Sequence, residues 1–435
     1  MIFNLPPLLG LAPLLLYIVL MIKGKNMVLS VFIAVVLGGI LTGTSLVQVG
    51  PIINTALGSF LALIGFIIML GSGLGEVLSR TKVASNIVYV VMEKANIKTQ
   101  TKAIIVTMLL SSLLVGMLGT LAGANAILAP IVISVVAALK ITPSTLGVVI
   151  HGAGAVGLIV GPFVPPVVTI LGLTGISYAA YLLEVGIPFA IIIWIITFIV
   201  AKRVQRQTEG VTAYSAEDQI AKDFESTPAI KRGTFVFVIG MIAMLGYGIF
   251  SGVGASYAIT VMLTMSFAVG LSAGLKPVGI IEALLAGCAR LFPLFFMFVL
   301  FNPLMGFIEG SGAFVALTQL LQPVLALGGQ IGFMVITALI GVFGIPGAAV
   351  TASIIVHEMF GTAAGAMGIS MAVWAMILTV SAQLTSFAYP GPDMMGQMGL
   401  ARSKDIKSMM KNGIALTIAI IVYVLVRGII LTIAG

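Results

Sequence analysis

The sequence predicts an all-α polytopic membrane protein made of two inverted repeats. Each repeat is expected to hold about five transmembrane helices, a re-entrant hairpin and a broken helix. Three observations lead there: charge is scarce, apolar runs of bilayer length follow one another along the chain, and glycine–proline landmarks of the first half recur in order in the second.

Of 435 residues, 60% are hydrophobic and only 8% are charged, where a soluble domain carries about 25%. So few charges cannot cover a surface that faces water on all sides, so lipid must be the solvent. A helix crosses a bilayer with roughly 20 apolar residues, and the alternating ten-residue segments of an outer-membrane barrel are absent. The net charge of +8 sits in short connecting loops, as topology requires of Lys and Arg. It therefore argues against a nucleic-acid partner. Cys288, the single cysteine, permits no intramolecular disulfide and belongs to no metal motif. No cofactor or metal is expected beyond a coupling Na⁺ or H⁺. The first run, 8–22, is followed by Lys23 and Lys25 rather than a small-residue cleavage pattern, so it reads as a retained helix in a multi-pass protein of the cytoplasmic (inner) membrane.

Apolar runs occur at 8–22, 27–47, 51–73, 103–138, 145–168 and 178–201, and resume at 233–250, 256–274, 278–305, 331–365, 371–392 and 412–433. This divides the chain into a first repeat (1–201), a cytoplasmic linker (202–232) and a second repeat (233–435). Landmarks match at a nearly constant offset: Gly116 and Gly119 with Gly341 and Gly344, Ile141 with Ile369, Pro162 with Pro390, Gly50 and Gly58 with Gly279 and Gly287, and Gly75 with Gly306. An ordered series of this kind points to duplication.

Charge supports inversion. The stretch 76–102 carries Arg80, Lys82, Lys94, Lys98 and Lys102, while its counterpart 307–330 has no Lys or Arg. The stretch 390–411 carries Arg402, Lys404, Lys407 and Lys411 against none in 166–178. Equivalent loops thus sit on opposite sides of the membrane. Inversion needs an odd number of crossings per repeat, so one of six runs must enter and leave on one side. The longest, 103–138, would measure roughly 54 Å as a continuous helix and is interrupted by glycines. It is expected to be a hairpin, as is 331–365, and 145–168 and 371–392 are expected to be broken helices. This gives ten spanning helices and two hairpins, with both termini outside. Residues 83–97 are expected to lie along the surface.

Irregular backbone survives at membrane depth only inside protein or along a cavity. Four such segments are expected to meet near the midplane. The hairpin tips offer Thr120, Gly123 and Asn125, and Pro346, Gly347, Thr351 and Ser353. The helix breaks offer His151, Gly152 and Gly154, and Ser381, Gln383, Thr385 and Ser386. These fourteen residues are the expected substrate-binding set, since exposed helix N-termini attract anions and freed carbonyls attract a cation. Asn125, Gly154, Ser353, Ser386 and Asp393 are the expected cation-binding set. Each has a structural alternative. Asn125 either caps the second hairpin arm or binds solute. His151 is either a satisfied core histidine or a substrate or proton contact. The hydroxyls between Thr379 and Ser386 either bond back to their own helix or line a polar cavity, and Asp393 is either an interfacial acid or a cation ligand. Glu282 and Arg290 share one helix face, as a structural pair or, for Arg290, a substrate contact.

A hairpin with a small polar tip, followed by a helix broken around Gly and Pro and repeated in inverted form, resembles the ion-transporter superfamily. That group includes divalent-anion/sodium symporters, C4-dicarboxylate, gluconate and citrate permeases, C-type sodium/proton antiporters and the TRAP large membrane subunit. Residues 119–125 stand where dicarboxylate symporters carry Ser-Asn-Thr, and here keep only Asn125 as an amide. The second tip has Thr351 and Ser353 and no Asn. The resemblance implies a secondary active transporter for a small organic anion (carboxylate) or amino acid, working by alternating access coupled to Na⁺ or H⁺, as a possible homodimer. The alternative is a Na⁺/H⁺ antiporter, although no adjacent acid pair marks a helix centre. No filter motif, nucleophile elbow or metal-ligand cluster points to a channel or an enzyme.

Overall fold

The computed structural model describes residues 6–215, 224–251, 256–344 and 349–434. After a 3₁₀ turn at Pro7–Leu11, the first half runs through α1 (Ala12–Ile22), α2 (Met27–Thr42), α3 (Leu46–Leu57), α4 (Phe60–Arg80), α5 (Val83–Lys94), α6 (Gln100–Leu118), α7 (Leu121–Ala138), α8 (Pro143–Val160), α9 (Pro165–Thr174), α10 (Tyr178–Tyr181) and α11 (Ile187–Thr208). A π turn at Leu182–Gly186 joins the last two. The second half runs through α12 (Pro228–Ser251), α13 (Tyr257–Ser272), α14 (Pro277–Gly310), α15 (Ala313–Gly344), α16 (Ala349–Ala366), α17 (Met371–Gln383), α18 (Thr385–Ala388), α19 (Pro392–Leu400) and α20 (Ile406–Ala434). Among the described residues there is no strand, and nine helical segments are long and apolar enough to cross a bilayer. This is an all-α polytopic membrane protein.

The helices start and stop where local chemistry says they should. Asn26, Ser59, Thr99, Thr142 and Ser370 accept from backbone amides at the starts of α2, α4, α6, α8 and α17, satisfying donors that the first turn leaves free. Gly119 closes α6 in the left-handed region (φ 70°), which favours glycine.

Three boundaries differ from the sequence reading. The run 51–73 is two helices, because Gly58 ends α3 and Ser59 caps α4. Lys202–Thr208, assigned to the linker, continue α11, with Val204 and Gln205 buried. Residues 83–94 form α5, which buries Val83, Ala84, Asn86, Ile87 and Val88 rather than only lying along a surface.

Element order in the halves runs in parallel: α7 corresponds to α16, α8 to α17 and α18, α9 to α19, and α10–α11 to α20. Breaks in the first half become kinks in the second. Residues 95–99, between α5 and α6, answer to Gly329 inside α15, which has φ 55° and ψ −155°. Packing is exchanged between halves. Helix α2 lies on α14 and α13 on α4; α9 lies on α16 and α17, and α19 on α7 and α8. The deepest crossing is α4 on α14. There Ser72 Oγ donates to Gly287 O at 2.8 Å, and a Cβ on Gly73 would come within 2.8 Å of Leu284 O. Small residues let the two backbones touch, the usual device where lipid removes the hydrophobic drive for helix pairing.

Candidate functional site

The first hairpin turns at Gly119, with Thr120 as the N-cap residue of α7 but no side-chain cap bond. Thr120 is half-buried and Gly123 exposed, so the tip itself is accessible. One turn further, Asn125 is fully buried and does not cap the arm. Its Oδ1 accepts from Ser111 Oγ of α6 at 2.8 Å. Its Nδ2 donates to Ile150 O of α8 at 3.0 Å and to Gln397 Oε1 of α19 at 2.8 Å. Gly154 makes this possible: a Cβ there would sit 2.9 Å from Ser111 Oγ and 3.1 Å from Asn125 Nδ2. A tip of the first half is therefore bonded to the segment beyond the break in the second half. In this conformation both amide hydrogens of Asn125 are engaged by the protein.

Next to it, Ser112 Oγ donates to Ala153 O at 2.6 Å and accepts from Trp194 Nε1 at 3.0 Å. Gly157 lies hard against α6, where a Cβ would come within 2.6 Å of Gly116 N. Helix α8 then ends at Val160, and its last carbonyls are capped by tyrosines: Tyr178 OH donates to Val160 O at 2.6 Å and Tyr181 OH to Ile159 O at 3.1 Å. A cavity of about 540 Å³ reaches this break at Pro162 and Phe163, bounded by Phe60, Gly172, Tyr178 and Tyr257. None of the described residues expected to bind substrate lines it.

His151 and Gly152 face the other way, toward α11, α18 and α20. The His151 ring meets Phe387 edge-on with centroids 5.1 Å apart, and Gly152 faces Thr197 and Asn412.

In the second half, Pro346 and Gly347 lie outside the described residues. Thr351 and Ser353 are buried on α16. Ser353 Oγ donates to Val350 O at 2.7 Å, and Thr351 Oγ1 lies 3.8 Å from Met297 Sδ. The hydroxyls of the second break bond back to carbonyls three or four residues earlier: Ser381 to Ile377 O, Thr385 to Ala382 O and Ser386 to Gln383 O. Gln383 is the exception, its Nε2 donating to Leu158 O of α8 at 3.4 Å. Among the described residues the irregular segments pair crosswise: α7 packs on α19 and α16 on α9. The expected cation set is not gathered into one shell in this conformation. Asn125 and Gly154 adjoin, the hydroxyls of Ser353 and Ser386 turn back to carbonyls three residues earlier, and Asp393 is exposed in the first turn of α19. Arg290 does not turn to Glu282 on its own helix. It pairs with Glu76 of α4 at 2.6 Å, which also holds Arg80.

At one end of the bundle Asp405 fixes the start of α20. Burial would raise its carboxyl, but hydrogen bonds from Ser408 and Ser144 together with Lys411 outweigh burial and hold it below the usual carboxylate range. Ser144 belongs to α8, so the same carboxylate joins the starts of two helices.

Sequence reasoning missed Ser111, Thr197, Gln397 and Asn412. The available signal was a polar side chain within a mostly apolar membrane segment, which calls for a buried partner. A family model described as GntP family permease matches residues 7–253, more than half of the chain. No curated protein matches it.

Proposed function

Since the chain belongs to the GntP permease family and is accordingly a secondary transporter of the membrane, we propose that it carries a small organic anion, a carboxylate or amino acid, by alternating access coupled to Na⁺ or H⁺. The observation that carries this reading is the crossed bond of Asn125 to Gln397. A hairpin of one half grips the broken helix of the other, so a shift of one half against the other must remake that contact. Exchanged packing of corresponding helices, together with the opposed loop charges, supports two repeats of inverted orientation.

The solute's carboxylate is drawn to amides at the starts of α7 and α19, where chain breaks leave backbone N–H groups without intrahelical partners. Thr120 and Gly123, at the accessible tip, meet it first. Asn125 becomes available when its bonds to Ile150 and Gln397 part. The carbonyls of Ile159 and Val160 at the end of α8 offer oxygen to a cation once Tyr181 and Tyr178 release them. The carrier works in the inner membrane, as a homodimer.

Uptake of radiolabelled carboxylates and amino acids into proteoliposomes, with a sodium or a proton gradient imposed, tests the reading. Solute uptake driven by one gradient is expected. Full-rate Na⁺/H⁺ exchange without any solute would replace it with an antiporter.

A further inference from the structure

Three helices meet around Gly152, and each brings a polar side chain that the protein leaves unmatched. His151 stands on α8, Thr197 on α11 and Asn412 on α20, all fully buried. Among the described residues, neither the Thr197 hydroxyl nor either amide atom of Asn412 has a hydrogen-bond partner. The His151 ring nitrogens make no bond of normal geometry, although the Ser386 backbone approaches the ring. Other deep polar groups of the same interior are matched, as Asn125, Ser111 and Ser112 show. Gln397 Nε2, beside Asn125, also lacks a partner among the described residues, and around Gly152 such groups cluster on three adjoining helices.

Its geometry is that of a small binding site. A Cβ on Gly152 would collide with the Thr197 hydroxyl and lie 2.8 Å from Asn412 Nδ2. Both atoms therefore lie over the bare glycine, within reach of one bridging water molecule. The next residue, Gly413, brings α20 against the carbonyl of Phe387, where a Cβ would also collide. The site is thereby enclosed by the first broken helix on one side and the second on the other.

The donor set decides the ligand. An amide, a hydroxyl and an imidazole give and accept hydrogen bonds and bring no carboxylate, so water, which does both, can satisfy all three. Buried polar groups without protein partners are commonly met by ordered water, and inside a bilayer no bulk solvent can substitute.

We propose that Thr197, Asn412 and His151 bind ordered water between α8, α11 and α20, a hydrated station distinct from the Asn125 contact. Water-mediated contacts re-form in more than one register, so α8 can shift against α11 and α20 without leaving polar atoms bare. The proposal goes beyond the carrier reading, and its test needs no solute.

X-ray radiolytic hydroxyl labelling of the full chain in nanodiscs reads bound water directly. His151 and Phe387 should be modified although both are fully buried, while the equally buried Phe333 serves as the unlabelled reference. In Thr197→Val/Asn412→Leu the labelling of both should fall several-fold, and Thr197→Ser should keep it. If the double variant does not fold, Thr197→Val alone is compared with Thr197→Ser. Labelling of His151 and Phe387 no higher than that of Phe333, or labelling unchanged in the Val variants, overturns the proposal.

Discussion

The two hairpin regions occupy equivalent places in the chain and are held by different chemistry. At the first, Asn125 ties α7 to α6, α8 and α19 at once, and Gly157 seats α8 against the backbone of α6. At the second, Ser353 bonds back to its own helix, and the matching close approach sets Gly341 of α15 against the side chain of Ser381. The first is a cross-linked junction, the second a packed contact whose inter-helix bond from Thr351 Oγ1 goes to the weak acceptor Met297 Sδ. Repeated architecture does not require repeated chemistry. In an alternating carrier the less tethered half is the one expected to move first.

The sharpest way to break this comparison is at the glycines. Gly157→Ala forces atoms against backbone and should destabilise by about 1–3 kcal/mol or more, seen as a large drop in thermal stability of the purified protein. Gly341→Ala meets mainly the Ser381 side chain, its Cβ included, so Gly341→Ala combined with Ser381→Gly should recover much of its loss. Equal damage from both glycine changes would erase the distinction.

Next comes the amide. Asn125→Ala leaves Gln397 Oε1 without its partner while Ser111 and Ile150 keep each other, should cost about 1–3 kcal/mol, and should lower the uptake rate. Ser353→Ala should stay within about 0.5 kcal/mol of the parent. A double-mutant cycle over Asn125→Ala and Gln397→Ala should give a coupling of about 0.5–3 kcal/mol, and strict additivity would deny the crossed contact.

The smallest effect concerns pH. The carboxyl of Asp405 is held below its ordinary range, so its contribution is present at neutral pH and lost as pH falls through that lowered value. Acidification should destabilise the parent more than Asp405→Asn, measured as thermal stability across an acidic pH series.

What could be read from the sequence was local. Gly119, Pro162 and Pro390 interrupt apolar runs, and the structure breaks the chain at each of these points, because glycine and proline act on the backbone where they stand. The split of 51–73 escaped because the cap at Ser59 is one residue in an unbroken apolar run. The partner of Asn125 escaped for a different reason: Gln397 lies 272 residues away. A helix that is apolar nearly all round has no periodicity to say which neighbour its single polar residue will meet. Thr197 and Asn412 were invisible for the same reason, whereas His151 was noticed by residue type alone.

The crossed contact is tested most directly by closing it. With Cys288 replaced by serine, Asn125→Cys and Gln397→Cys place thiols on the two side chains that now touch, and Hg²⁺ or a short bifunctional thiol reagent can join them. The account predicts that bridging occurs in the resting protein, stops solute uptake and is reversed by excess thiol. A bridged protein that transports at the unbridged rate would show that the two halves do not need to separate there, and would contradict it.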